Sequence, residues 1–408
     1  MRWPRTQSGC SINVKGRSRS YRRMPPEHPP LSERIRQPGP KRLLALDGGG
    51  IRGLITIEIL ARLEELLRDA LGAGHDFVLA DYFDYVAGTS TGAIIATCIA
   101  LGLSVEKIRD FYLEGGAAMF KRAPLFNRFH YRHVGSALSE QVRSVLRRSD
   151  THRDRTLGDE DLRTLLLLVM RNATTDSPWP ISNNPLAKYN LREIDGCNLD
   201  LPLWQLIRAS AAAPTYFPPQ VIHVGKQSFT FVDGAVTVYN NPAFILFLMA
   251  TLPEYRLGWE MGEDKLLLVS IGTGILSGDA KKLDPSQMTL LYNLKSVPSA
   301  LIDAGLNEQD LICRVLGRCR FGAPLDRELG DLIADDGPFA PKKFTYVRYN
   351  PELTSIGLRE LGFETLRPQD VQRLTSAKYM PELMDVGRAY ARRLDLDHLG
   401  AFDPRRAP

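Results

Sequence analysis

Twice between Lys41 and Leu103 the sequence passes from a short apolar run, through a glycine-crowded turn, into a helical pattern. Arg42–Leu46 (RLLAL) leads into Asp47–Gly53 (DGGGIRG). The stretch from Leu54 to Leu71 then sets Ile55, Ile59, Leu63, Leu66 and Leu67 near one helical face, with Glu64 and Arg68 spaced to pair on the other. Tyr82–Ala87 (YFDYVA) leads into Gly88–Gly92 (GTSTG), and the apolar run Ala93–Leu103 reads as a buried helix. Strand, tight turn, helix, repeated, specifies an α/β fold with a mostly parallel sheet and crossover helices. Two further strands are expected at Ser228–Val232, ending at Asp233-Gly234-Ala235, and at Lys265–Ile271, ending at Gly272-Thr273-Gly274.

The rest of the 408 residues divides by composition. Residues 1–40 hold nine basic and two acidic residues and seven prolines, and read as a disordered basic leader. Initiation at Met24 would shorten that leader and remove its charge excess. Residues 41–275 read as the catalytic core, and 276–408 as a helical extension packed on the core or completing it. The net charge of +5 belongs entirely to the leader, because the remaining 43 basic and 45 acidic residues nearly cancel. Global attraction to nucleic acid is therefore not expected. Five cysteines without a repeating spacing (Cys10, Cys98, Cys197, Cys313, Cys319) read as thiols. The longest apolar runs, Ala93–Leu103 and Ala243–Leu252, fall short of the roughly 20 residues of a membrane span, and no secretory signal opens the chain. The expected place is the cytoplasm, with a peripheral membrane role open.

Ser90 stands at the centre of GTSTG. Small neighbours permit a sharp strand-to-helix turn that lifts its hydroxyl clear of the sheet as a nucleophile, and the helix N-terminus favours developing negative charge. The loop Gly48-Gly49-Gly50-Ile51-Arg52-Gly53 fits G-x-G-x-x-G. Dinucleotide binding would require an acid about 20 residues on, closing a second strand. That stretch here is still helix, and Asp76 and Asp81 are poorly placed. No Gly-Lys-Ser/Thr follows, which excludes a Walker loop. Bare backbone amides of consecutive glycines also suit an oxyanion, with Arg52 adding positive potential or forming a surface ion pair.

A serine nucleophile needs a base. None of the seven histidines follows a strand in a presenting turn, and His130 and His133 lack acidic or cysteine neighbours for a metal site. Asp233 ends a β-rich stretch beside small residues. It reads as a base whose burial raises its pKa, or as a turn cap.

The set DGGGIRG, GTSTG and DGA, in that order, resembles the patatin-like phospholipases. The likeness extends to Ala209–Pro219 (ASAAAPTYFPP), to Asn240-Asn241-Pro242 and to Ser270–Gly274 (SIGTG), covering about residues 41–275. It implies a three-layer α/β/α patatin-like fold with a mostly parallel central sheet. It implies Ser90 as nucleophile, Asp233 as base, and an oxyanion hole of Gly48, Gly49, Gly50 and Arg52. Gly53, Gly88, Gly92, Gly234 and Ala235 would support these motifs; Ala235 departs from the glycine usual in plant members. The implied substrates are phospholipids or other acyl-ester lipids, without metal or cofactor. The rival reading is a silent or ligand-activated scaffold of the same fold. The apolar helices near the motifs read as core or as an acyl pocket, and Trp179-Pro180, in the polar segment Ala173–Asn190, as a flap or a surface loop.

Overall fold

The computed structural model describes residues 30–119, 135–148, 151–214, 216–276, 289–375 and 377–406. Most of the leader, Cys10, His28, His130 and His133 lie outside them. Among the described residues one sheet holds nine strands: β1 Lys41–Leu46, β2 Tyr85–Thr89, β3 Leu165–Asn172, β4 Ser177–Ser182, β5 Gln220–Val224, β6 Gln227–Asp233, β7 Leu266–Ile271, β8 Arg318–Phe321 and β9 Thr345–Tyr349. Strands β3, β2, β1, β7, β9 and β8 run parallel in that order. Strand β4 pairs antiparallel with β3, and the β5–β6 hairpin joins β3 antiparallel through β6.

Side chains alternate across the strands, so the sheet divides two cores. Leu44, Leu46, Val86, Leu166, Leu168 and Val269 face one core, packed with α1 (Gly53–Leu71), α2 (Thr91–Ala100), α3 (Val105–Met119) and α4 (Leu203–Ser210). Leu43, Ala45, Tyr85, Leu165, Leu167 and Leu268 face the other, packed with α5 (Ala243–Thr251) and the C-terminal part of α6 (Leu290–Leu316). A late helix, α7 (Met380–Ala391), joins the first core and lies against α1, where a Cβ on Gly387 would approach Ile55 and Glu58. The result is the expected three-layer α/β/α arrangement.

Several local readings change. The second strand starts at Tyr85 rather than Tyr82, because Leu79–Tyr82 closes a helical turn first. Residues Ser177–Ser182 are strand β4 rather than a flap: Trp179 stacks on Phe231 at 4.7 Å between ring centroids. Pro178 and Pro180 are tolerated because β4 pairs on one side only. Glu64 does not bridge to Arg68; it accepts the Val105 amide at the start of α3. Helices α2 and α5 are core elements, with Ile95, Ile99, Leu246 and Ala250 fully buried. Beyond residue 275 the chain contributes β8 and β9 to the sheet, as well as α6 and α7. Cys98, Cys197, Cys313 and Cys319 are buried free thiols. Among the described residues no helix is long and apolar enough to cross a membrane.

Candidate active site

The strand register brings the two sequence-distant candidates together. Along β3, Val169 pairs with Thr89 at the end of β2, and the next residue, Met170, pairs with Asp233 at the end of β6. Strand β2 is parallel to β3 and β6 antiparallel, so their C-terminal ends converge on the same point. Ser90 follows Thr89, and its Oγ donates to Asp233 Oδ2 at 2.8 Å.

Ser90 is held in a conformation that costs energy. Its φ of 55° and ψ of −119° lie where side-chain-bearing residues are rare, and such strain is worth about 1–3 kcal/mol. The flanking glycines make this turn possible. A Cβ on Gly88 would sit 2.1 Å from the Gly92 carbonyl, and one on Gly92 would sit 2.2 Å from the Leu46 carbonyl. Helix α2 begins at Thr91, so its N-terminal amides lie directly beyond the serine. Gly234 is equally constrained, since an added Cβ would approach the Val169 carbonyl to 2.3 Å.

Asp233 is 2% exposed and Ser90 8%. The second carboxylate oxygen of Asp233 accepts the Ala235 amide at 2.8 Å, and the Asp233 amide donates to the Ala212 carbonyl at 3.0 Å. Burial pushes the Asp233 carboxyl up to about 7; the Ala235 amide, the Ser90 hydroxyl and the Arg208 charge hold it down. The carboxyl is therefore poised to exchange a proton near neutral pH.

The glycine loop after β1 lies against Ser90. A Cβ on Gly48 would come within 3.2 Å of Ser90 Cβ. The Gly48 amide is already committed to the Asn240 carbonyl at 3.1 Å, and the Gly48 carbonyl accepts the Thr273 hydroxyl at 3.0 Å. The amides of Gly49 and Gly50 have no partner among the described residues. Gly50 has φ +60°, and a Cβ there would strike the Leu374 carbonyl at 2.4 Å. Gly53 begins α1 against Thr91. Arg52 is buried, not a surface ion-pair residue. Its Nε donates to the Gly49 carbonyl at 3.3 Å and Nη1 is unpartnered. Burial lowers the Arg52 guanidinium to about 10, while Asp303 and Asp47 draw it back up.

Four supports of this site escape a sequence reading. Ser210 accepts the Ser90 amide at 2.9 Å and donates to the Val169 carbonyl at 2.6 Å. Arg208, two residues earlier, is buried, lies 5.5 Å from the Phe217 ring centroid and donates to the Pro218 carbonyl at 2.8 Å. Both flank or enter the ASAAAPTYFPP stretch, which was the available signal. Arg348, on β9, holds Asp47 with two hydrogen bonds of 2.9 and 2.6 Å and also donates to Ser270. Both members of this pair are buried, so the glycine loop is anchored to the far half of the sheet. The Leu374 carbonyl accepts the Ile51 amide at 2.9 Å.

Two of the described histidines serve elsewhere. His398 stacks on Phe321 and bonds Tyr349, and His223 bonds Ser228. Among the described residues no cluster of three metal-ligating side chains exists. A cavity of about 590 Å³ is lined in part by Gly274, Asp303, Asp310, Arg314, Arg348 and Glu352.

The serine–aspartate pair thus meets at a strained strand–helix turn, faced by a glycine loop, on an α/β/α sandwich. Residues 44–247 match the Patatin-like phospholipase family model, half of the chain, and the protein belongs to that family. Patatin-T5 of Solanum tuberosum is 29% identical over 252 residues, 58% of this chain and 61% of the relative. Patatin-17 of Solanum cardiophyllum is 29% identical over 255 residues, with the same coverage. The chain thus spans about 61% of the length of these relatives. Against the human GIVD cytosolic phospholipase A2 the TM-score is 0.48 at 12% identity, over 92% of this chain and 62% of that one.

Proposed function

We propose that the protein is a lipid acyl hydrolase that cleaves carboxylic esters of glycerophospholipids through Ser90 and Asp233. The hydrogen bond from Ser90 Oγ to the buried Asp233 carboxylate carries this reading; the family match and the strained turn support it. Asp233, ionised, takes the Ser90 proton as Oγ attacks the ester carbonyl carbon. The carbonyl oxygen becomes an oxyanion facing the open amides of Gly49 and Gly50, with the Arg52 charge behind them. Collapse breaks the bond to the alkoxy oxygen, which leaves as the lysolipid alcohol carrying the proton from Asp233. The acyl group stays on Ser90. Asp233 then deprotonates a water that attacks the acyl-enzyme, and the fatty acid leaves as Ser90 Oγ recovers its proton.

The burial of Asp233 supports a carboxylate in the place of a triad's histidine: desolvation raises its basicity into the useful range. Each oxyanion donor is expected to contribute about 10²–10³ in turnover. Fatty acid release from phospholipid, followed by mass spectrometry, tests the proposal. Ser90→Ala and Asp233→Asn should each lower kcat by about 10⁴ or more. A fluorophosphonate should add its phosphonyl group to the wild type, with loss of fluoride, and not to Ser90→Ala. Wild-type rates in both variants would refute the pair.

A further inference from the structure

Helix α6 is exposed in its early turns and reaches the site further along. Gly305 packs on the segment after Asp233, where an added Cβ would lie 3.3 Å from Val238 Cα, and Asp303 is electrostatically coupled to Arg52. One to two turns earlier Val297, Pro298, Ser299, Ala300 and Leu301 are all exposed. Val297 is 48% exposed and Leu301 67%. A surface helix ordinarily turns charged residues outward. Here the protruding turn carries none, and Leu301 lies one helical turn from Gly305 on the same face. Val236 and Val238, just past Asp233, are exposed too.

A second segment touches the glycine loop, through the Leu374 carbonyl that accepts the Ile51 amide. Leu374 itself is exposed and lies between exposed Arg373 and Lys378. From Arg367 to Tyr379 the sequence holds Arg367, Arg373 and Lys378 against the single acid Asp370, which is bound to Arg367. An apolar rim flanked by cations in excess of acids complements an anionic lipid surface: hydrocarbon-facing side chains at the boundary, cations at the phosphate level.

We infer that the rim formed by Val297 and Leu301 on one side of the site and Leu374, Arg373 and Lys378 on the other is the surface that seats the protein on an anionic lipid bilayer. This rests on the hydrolase reading above, since it places the ester-bearing layer against Ser90. The charge balance outside the leader is −2, so the attraction is local rather than global.

The test uses the full chain with two variants, Val297→Asp/Leu301→Asp and Arg373→Glu/Lys378→Glu. The readouts are flotation with phosphatidylglycerol/phosphatidylcholine vesicles, fatty acid release from those vesicles, and hydrolysis of a monomeric short-chain ester. Both variants should keep the monomeric rate, which also reports folding. They should bind the anionic vesicles about tenfold or more weakly and release fatty acid from them correspondingly slowly. Wild-type binding and vesicle hydrolysis in both variants would overturn the inference. So would a wild-type dimer that Val297→Asp/Leu301→Asp splits without loss of vesicle binding. Rim-dependent vesicle binding by a wild type that cleaves neither substrate would instead sink the hydrolase reading and leave the docking surface standing.

Discussion

On the proposed mechanism, the pH at which the site works follows from the surroundings of Asp233, and Arg208 is the positive charge among them. Burial raises the carboxyl to about 7, and the Arg208 guanidinium is one of three influences opposing that rise. A base acts only when ionised, so kcat/KM should climb about tenfold per pH unit below the midpoint and level off above it. Between pH 5 and pH 8 the ionised fraction rises from about 0.01 to about 0.9, a gain of about 90-fold. Arg208→Gln removes a positive charge near a desolvated carboxylate. The midpoint should move to higher pH, with the loss of activity greatest near pH 6 and smallest near pH 9. Arg208 also ties α4, which ends at Ser210, to Pro218 beyond Ala212. Loss of that tie should lower the plateau without moving the midpoint, and Arg208→Lys should restore the midpoint better than the plateau. A profile flat between pH 5 and 8, or a shift of Arg208→Gln to lower pH, would refute the reasoning.

The same carboxyl links pH to stability. Its folded pKa lies above the unfolded value of 3.8, so the native state holds the proton more tightly. Stability is then highest below about pH 4 and falls as pH rises through 7, by up to about 4 kcal/mol for this group. Asp233→Asn, which keeps an acceptor and carries no charge, should melt higher than wild type at pH 8, with the gap narrowing toward pH 5. Equal melting temperatures at pH 8 would contradict a buried, ionised Asp233.

Other substitutions probe the supports. Arg348→Met leaves Asp47 buried without its partner and should cost about 3–5 kcal/mol in chemical denaturation, with activity lost through the slackened glycine loop; an unchanged midpoint would show that the pair is dispensable. Gly50→Ala forces a side chain into positive φ and against the Leu374 carbonyl, and should abolish most turnover on a monomeric ester. Gly72→Ala has a similar φ but open space around it, so it should cost about 1 kcal/mol and leave the rate intact. Ser210→Ala removes the acceptor of the Ser90 amide and should lower kcat about tenfold or more at constant KM; a fall in affinity instead would assign Ser210 to substrate binding.

What a local turn requires is written locally. The crowding around Gly88 and Gly92 explains why GTSTG could be read as a strand–helix elbow with Ser90 at its tip. The clash facing any side chain at Gly50 explains why DGGGIRG could be read as a backbone-lined loop. The strand before each turn was legible for the same reason, because a buried parallel strand is a continuous apolar run. Strand β4 was not, because its prolines and polar neighbours imitate a loop, and only pairing to β3 and the stacking of Trp179 on Phe231 make it part of the sheet.

The α/β class, the two glycine turns and the candidates Ser90 and Asp233 are therefore legible in the sequence. Tertiary structure decided that the pair meet, since 143 residues separate them and only the β2–β3–β6 register closes the gap. It also decided what holds the glycine loop: Arg348 reaches Asp47 across 301 residues, and Leu374 supplies its carbonyl from the far end of the chain. Glycine turns leave a pattern because their sterics act over a few neighbouring residues. A buried ion pair leaves none, because Coulomb attraction and hydrogen bonding depend on distance in space and are indifferent to distance along the chain.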